Sequence, residues 1–407
     1  MMFLTLLIGV FSAILLLPCG ILLVQVLAAL LPVRRMAASM LTTSAVTSGS
    51  APQVCLLMPA HNEALGIAKV LNELLPQLSP GVRLLVVADN CTDNTAAIVR
   101  RLSAGHAHVE TIERCNPQLR GKGFALDYGV RHLVHNPPKV VVVVDADCAL
   151  RPGTIGSLAA ACMSTGRPSQ ALYLMHSPPG GSIKTLVAEF AWLVKNQVRP
   201  IGFHRLGLPC PLMGTGMAFS WQQISTAQLA SGHIVEDLQL GIELARSGSP
   251  PQFCPEALVT SYFPTAVDGL ITQRTRWEHG HLGVIISEFP RLLKQALLTG
   301  NGALLAMALD LCVPPLALLT LLAGALFLIG AAVGAFTGLW LPLGVASLPG
   351  VALTVAVMLA WLAFGRQVIT LGQLCSVPLY VVAKIPLYVG FLIRRQSKWV
   401  RAKRDGE

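Results

Sequence analysis

The sequence predicts an α/β domain with a mostly parallel sheet, held between N- and C-terminal segments that belong in a membrane. Three observations carry this reading. The 407-residue chain is 53% hydrophobic and only 12% charged, against about 25% charge in ordinary soluble domains. Between residues 53 and 270, short apolar runs alternate with helical patterns, the signature of βαβ units. Each of the clearest apolar runs ends in polar and acidic residues, which is where open α/β sheets place their ligands.

Residues 1–33 form the first element, an N-terminal transmembrane helix. Residues 3–32 carry no charge, enough to cross a hydrocarbon core of about 30 Å despite Pro18 and Gly20. Arg34 and Arg35 follow the apolar run, whereas a secretory signal carries its positive charge in front. The amino terminus is therefore expected outside and the rest of the chain inside. Residues 34–52 are a small-residue linker. In the domain over 53–270, strands are expected over Val54 to Met58, Arg83 to Ala88 and Val140 to Val144, with helices over Ala64 to Leu78, Asp93 to Leu102 and Gly123 to Val134. Right-handed connections bring the three strand ends to one edge of one sheet.

Residues 271–300 are expected as interfacial helices and 301–366 as about two further transmembrane helices. Residues 367–407 are expected as an amphipathic helix in the cytoplasmic interface with a basic tail. Lys384 sits near the middle of that last apolar block, where a charge costs about 2.5–3.5 kcal/mol in a spanning helix. A crossing there would also put the basic end on the wrong side.

Composition narrows the partners. The net charge of +10 gathers beside apolar segments without interleaved aromatics, so lipid headgroups and phosphorylated substrates fit and nucleic acid does not. Ten cysteines without a CxxC pair indicate neither a zinc ribbon nor a disulfide framework. Arg120-Gly-Lys-Gly123 lacks the phosphate-binding P-loop spacing. A lysine beside glycine before a helix can still meet diphosphate oxygens, although an exposed basic turn would look the same. Asp145 and Asp147, one residue apart after a valine strand, can share a hard cation such as Mg²⁺ or Mn²⁺; the bland alternative is an acidic turn. Glu236 and Asp237 open a helical run and could simply cap it. Gln273, Arg276 and Trp277 fall on one face of a helix. Trp221 suits an aromatic stacking platform or the core equally. Glu278-His-Gly-His281 is no metalloprotease motif and receives no role.

Taken together, PAHNE at 59–63, VVADNCTDNT, GKGFALDYG, VVDADC, GTGMAF, VED and QRTRW resemble, in order, the motifs of family 2 glycosyltransferases of the GT-A (Rossmann-like) fold, from Val54 to about Gly283. The resemblance implies a nucleotide site walled by Pro59, Ala60 and Glu63, with Asp89 on the uracil ring and Lys122 on the diphosphate. It gives Asp145 the ribose or donor sugar and Asp147 a divalent cation, Mg²⁺ or Mn²⁺. It implies an acceptor side formed by Gly214, Thr215, Glu236, Gln273 and Trp277, with Asp237 as general base and Arg276 facing the diphosphate. The function implied is an inverting transferase moving sugar from a UDP-sugar to a saccharide or lipid-linked acceptor, in exopolysaccharide, capsule or glycolipid synthesis. It would work at the cytoplasmic face of the inner membrane, in contact with membrane lipids. A processive synthase that also secretes its chain is the alternative. A catalytically dead scaffold or transporter is a remote one, disfavoured because Asp89, Asp145, Asp147 and Asp237 are all present.

Overall fold

The computed structural model describes residues 2–32, 53–265 and 267–393. The linker at 34–52, with Arg34 and Arg35, and the basic tail from Arg394 onward lie outside the described residues. Eight strands form one sheet: β1 (Val54–Ala60), β2 (Val82–Asp89), β3 (Val109–Arg114), β4 (Val140–Val143), β5 (Ala149–Leu150), β6 (Ser169–His176), β7 (Met217–Ser220) and β8 (Gln252–Tyr262). Their spatial order is β3-β2-β1-β4-β7-β6-β8-β5. The three strands expected from the sequence are β1, β2 and β4, and they pair in parallel with β3 at the outer edge.

The expectation of a mostly parallel sheet needs correction, because the sheet is mixed. β7 runs antiparallel to both β4 and β6, β5 runs antiparallel to β8, and β6 and β8 are parallel. The parallel half is made of βα repeats, which return each strand in the same direction. β7 enters after a long helical excursion from β6 and inserts the other way.

The helices are α1 (Met2–Ala29), α2 (Ile67–Leu74), α3 (Thr95–Leu102), α4 (Lys122–Leu133), α5 (Thr154–Thr165), α6 (Ile183–Leu193), α7 (Arg199–Arg205), α8 (Trp221–Thr226), α9 (Glu236–Arg246), α10 (Val267–Thr299), α11 (Gly302–Leu311), α12 (Leu316–Thr337), α13 (Leu341–Ala360), α14 (Leu371–Cys375), α15 (Val377–Val382) and α16 (Ile385–Ile393). The valine run of β4 is buried throughout because both faces of the sheet are covered. Leu56, Met58, Val86 and Val142 belong to one core with Ile67 of α2, Val99 of α3 and Leu158 of α5. Leu57, Val87 and Val143 point the other way into a second core with Leu126 of α4, Ile224 of α8 and Leu240 of α9. Period-two alternation of the strands thus divides one apolar run between two cores.

Three helices are long and apolar enough to cross a membrane, over Phe3–Ala29, Leu316–Thr337 and Leu341–Gly365. They agree in number and place with the spans expected from hydropathy. α1 packs with α12 and α13 in a cluster containing Leu22, Val26, Leu319, Leu353 and Ala356. The segment expected as an amphipathic helix over 368–393 is broken into α14, α15 and α16. Pro378 and Pro386 fall at the starts of the second and third, where proline is tolerated in a way that helix interiors do not allow.

α6 and α7 are joined by a π-helical turn, Val194–Val198, and α7 crosses α1 at very close range. A Cβ added at Gly202 would stand 2.0 Å from the Gln25 carbonyl oxygen, on the backbone of α1. Backbone cannot yield as a flexible side chain can. Gly202→Ala is therefore expected to destabilise the protein by about 1–3 kcal/mol, as overpacking does, and to lower its thermal unfolding midpoint in detergent. Gly9→Ala, with nothing within 4 Å of the added atom, should leave that midpoint unchanged. Equal midpoints for the two variants would show that the α1–α7 crossing is not tight.

Candidate active site

The carboxyl ends of β1, β2 and β4 open onto a cavity of about 470 Å³. Its far walls are the π turn after α6, the loop before β7, the start of α9 and the first half of α10. Pro59, Ala60, Glu63, Asp89, Lys122, Asp145, Asp147, Gly214, Glu236, Asp237, Gln273, Arg276 and Trp277 all line it. Thr215 does not. It is fully buried, and its hydroxyl accepts the Asp145 N–H at 3.0 Å, so it supports Asp145 from behind and does not face an acceptor. Trp221 starts α8 and packs against the core around Phe219 and Ile224, and it is not among the cavity-lining residues.

The strand ends are held by short polar contacts. Asn62 and Asn90 adopt left-handed backbone with φ of 54° and 50°, a conformation that asparagine tolerates better than most residues. The Asn62 side chain bonds Thr92 both ways, at 2.7 and 3.0 Å, and Asp93 accepts from the Ala64 and Thr95 backbones at 3.0 Å each. The first two loops are thereby fastened together. Asp89 is buried, and its Oδ1 accepts from the Arg114 guanidinium and from Asn90 Nδ2 at 3.1 Å. Its charge is thus balanced at the edge of the cavity that it lines.

Lys122 connects the two sides of the cavity. Its ammonium donates to Asp145 Oδ1 and, at 2.7 Å, to the Gly214 carbonyl. Burial pulls its pKa down, but Asp145, Glu236 and Asp237 outweigh that and hold it above the ordinary lysine value, so it stays charged. Gly214 has φ of 91°, and a Cβ there would lie 3.3 Å from Asp237 Oδ2. Glycine at this position lets the Asp237 carboxylate sit directly against the loop.

The acids are perturbed in the opposite sense. Burial raises Asp145, with Asp147 adding to the shift and Lys122 opposing it. Glu236 is pushed up to about 7 by burial and then by Asp237. Asp237 is raised by burial, against the pull of the Leu238 N–H, Lys122 and Lys195. Acids poised in this way are what proton transfer near neutral pH requires.

Asp145, Asp147 and Cys148 present ligand atoms within 4.8 Å of one another. Burial and the two neighbouring carboxylates push the Cys148 thiol well above its ordinary value. It stays protonated and is a poor ligand. The usable donors are therefore two carboxylates, which fit a hard divalent cation that takes its remaining ligands from phosphate and water.

Several cavity residues escaped the sequence reading: Trp192, Lys195, Asn196, Arg199, His281 and Asp310. Asp310 stands as an isolated charge within an apolar stretch, a signal of function in its own right; Lys195, followed by Asn196, Gln197 and Arg199, carries no such signal. Trp192 packs on Trp277 with ring centroids 4.9 Å apart. Gln273 Oε1 and Asn196 Oδ1 are buried without a hydrogen-bond partner among the described residues, and both residues line the cavity. A buried unsatisfied acceptor beside a cavity is explained by a ligand that donates to it.

Similarity to known proteins agrees with this geometry. The family model described as glycosyltransferase like family 2 matches residues 52–280. The chain is 25% identical over 263 residues to the probable glycosyltransferase YdaM of Bacillus subtilis (strain 168), covering 60% of this chain and 58% of that relative. It is 35% identical over 98 residues to the beta-monoglucosyldiacylglycerol synthase of Synechocystis sp. (strain ATCC 27184 / PCC 6803 / Kazusa), covering 24% of this chain and 20% of that relative. The chain thus spans about three-fifths and one-fifth of the curated relatives' lengths. In fold it is similar to the mannosyltransferase PcManGT of Pyrobaculum calidifontis, solved with GDP-Man and Mn²⁺. That likeness has a TM-score of 0.54 at 17% identity, over 96% of this chain and 100% of that one. Because the family match spans more than half of the chain and takes in the whole sheet edge that bears the acids, the protein belongs to the glycosyltransferase-like family 2.

Proposed function

We propose that the protein is an inverting, metal-dependent membrane glycosyltransferase, moving a sugar from a UDP-sugar to an acceptor hydroxyl at the cytoplasmic face of the membrane. The acceptor is a saccharide or lipid-linked, in exopolysaccharide, capsule or glycolipid synthesis. The observation that carries the reading is the meeting, in one cavity, of the Asp145–Asp147 pair, the cation Lys122 and the raised acids Glu236 and Asp237. Family membership supports the same chemistry.

Each residue then has a physical task. Pro59, Ala60 and Glu63 wall the nucleotide, and the Asp89 carboxylate accepts a base N–H. Lys122 meets the negative charge that grows on the departing diphosphate, and it is already fixed between Asp145 and Gly214, so no reorganisation is needed as the bond breaks. Arg276 meets the diphosphate from the α10 side, where a guanidinium matches phosphate geometry. Asp147, with Asp145 beside it, would hold Mg²⁺ or Mn²⁺, which when bound would supply Lewis-acid stabilisation of that leaving group. Asp237 takes the proton of the attacking hydroxyl, with Glu236, Gln273 and Trp277 around the acceptor. One base opposite one leaving group makes a single in-line displacement, so the anomeric configuration inverts.

The test is UDP release by the purified protein from a panel of UDP-sugars, with GDP-mannose as the contrasting donor, in Mn²⁺ or Mg²⁺. Asp237→Asn is expected to lower release by about 10²–10⁴-fold, the usual worth of a general base, while UDP binding is retained. Asp147→Asn is expected to remove metal-dependent UDP binding as well. No release with any donor, or full activity in Asp237→Asn, would overturn the proposal.

The raised acids also set a pH dependence. Below about 7, the level to which Glu236 is pushed, the Glu236–Asp237 pair retains a proton and accepts another poorly. The turnover rate is therefore expected to fall as pH drops through that region. Glu236→Gln removes a like charge beside Asp237 and should move the acidic limb to lower pH. A limb at the ordinary carboxylate range in the unaltered protein would contradict the assignment.

A further inference from the structure

A second, apolar pocket of about 190 Å³ adjoins the catalytic cavity. The two share Trp192, Lys195, Arg199, Phe263, Trp277 and His281 as a common wall. Beyond that wall the pocket is closed by Val187 and Ala191 of α6, Leu316 and Thr320 at the start of α12, Val357 of α13 and Val381 of α15. α12 and α13 are candidate spans, and the start of α12 follows directly on the cavity-lining Asp310 and Leu311. The pocket therefore lies where the membrane-spanning helices end on the side of the catalytic domain. Nearby, Leu379, Val382 and Leu392 of α15 and α16 are exposed, as befits helices resting in a lipid interface.

We infer that this pocket receives the hydrocarbon tail of a membrane lipid that is itself the sugar acceptor, its head hydroxyl passing Lys195 into the cavity toward Asp237. The inference rests on the glycosyltransferase reading and narrows its acceptor to a hydroxyl-headed lipid. A saccharide chain is a poor occupant, because most of the polar side chains around the pocket are paired within the protein, Glu278 Oε2 being the exception among the described residues. Lys384 pairs with Glu278. Arg274 donates to the Tyr380 hydroxyl at 2.6 Å, Arg199 to Asp310 at 2.9 Å, and Thr320 to the Leu316 carbonyl at 2.8 Å. Apart from Glu278 Oε2 and His281, what remains is an apolar lining with Lys195 on the wall shared with the cavity, its Nζ 5.5 Å from the Trp192 ring centroid. That is the polarity profile of an amphiphile: tail outside, oxygen inside.

Lys195 also acts electrostatically on Asp237, helping to hold its proton off. A hydroxyl lying between them would be oriented by the ammonium and deprotonated by the carboxylate. In the transfer the lipid oxygen bonds to the anomeric carbon and its proton goes to Asp237. The bond from that carbon to the nucleoside diphosphate breaks, and its electron pair leaves with the diphosphate.

The test uses the full chain in phosphatidylglycerol vesicles containing diacylglycerol with a diazirine near the end of one acyl chain. Irradiation without any nucleotide sugar is expected to label peptides of α6 and α15, and Ala317→Phe or Val381→Phe, which fill the pocket, should cut that label at least tenfold. The same variants should lower transfer of radiolabelled sugar into the lipid phase at least tenfold, while UDP release by donor hydrolysis stays within twofold. Two variants on different helices guard against one that fails to fold. Label confined to the outer faces of α12 and α13, displacement of the label by a soluble oligosaccharide, or undiminished lipid glycosylation in both folded variants would each overturn the inference. Labelling is read without donor, so a protein that releases no UDP from any sugar fails the broader proposal and leaves this outcome distinct.

Discussion

The arrangement depends on a buried polar junction between the candidate membrane-spanning helix α1 and the helices beside the cavity. Arg199, just past the π turn, donates to Gln25 Oε1 of α1 at 3.0 Å, and to the Asp310 carbonyl and carboxylate of α11 at 2.7 and 2.9 Å. Gln25 donates back to Asp310 at 2.7 Å. All three residues are buried. Two desolvated charges carry a large penalty, offset only where hydrogen bonds are complete, and losing one partner typically costs about 3–5 kcal/mol. The junction therefore tolerates little drift, and it fixes α1, α7 and α11 relative to one another beside the cavity. Gly202, one turn along α7, allows the close crossing that makes the Gln25 contact possible.

From that junction the cavity acquires its charge pattern. Acids from β1, β2, β4 and α9 meet cations from α4, the π turn and α10. Without Lys122, the carboxylates of Asp145, Glu236 and Asp237 would share a buried space with no cation between them. With it, Asp145 is paired, while burial leaves Glu236 and Asp237 raised. Phosphate chemistry and proton chemistry are separated by a few residues, and the separation is made by burial as much as by partner charges.

Much of this was legible in the sequence, and the parts that were not share a cause. β1, β2 and β4 stand out because parallel strands covered on both faces are continuously apolar, and their acidic ends follow from the switch from strand to loop. β3, with its Glu110, Glu113 and Arg114 at the sheet edge, carries no such run. β7 is only Met217–Ser220, too short to register as a periodic segment, so its antiparallel insertion was invisible. The cavity-lining acids were found because their motifs are local. Thr215 was misplaced because a three-residue Gly-Thr-Gly turn does not reveal which way its middle side chain points. Lys195, Arg199, His281 and Asp310 were missed because they meet only in three dimensions, from helices whose individual patterns look like core or membrane.

α10 shows how the membrane end bears on the chemistry. Gln273, Arg276 and Trp277 face the cavity. On the adjoining face Arg274 bonds Tyr380, Glu278 pairs with Lys384, and His279 bonds the Leu387 carbonyl at 3.0 Å. These contacts fasten α15 and α16 to the helix that carries the cavity-lining Arg276. A helix transmits rotation along its length far better than a loop does, so the azimuth of Arg276 and Trp277 is set by how the C-terminal helices seat. Those helices expose Leu379, Val382, Leu392 and Ile393, a surface that favours an apolar medium. Lys384, whose charge argued against a spanning helix, is neutralised by Glu278 at the break between α15 and α16. The charge that the sequence sets against a spanning helix is thus the same one that ties the segment to α10.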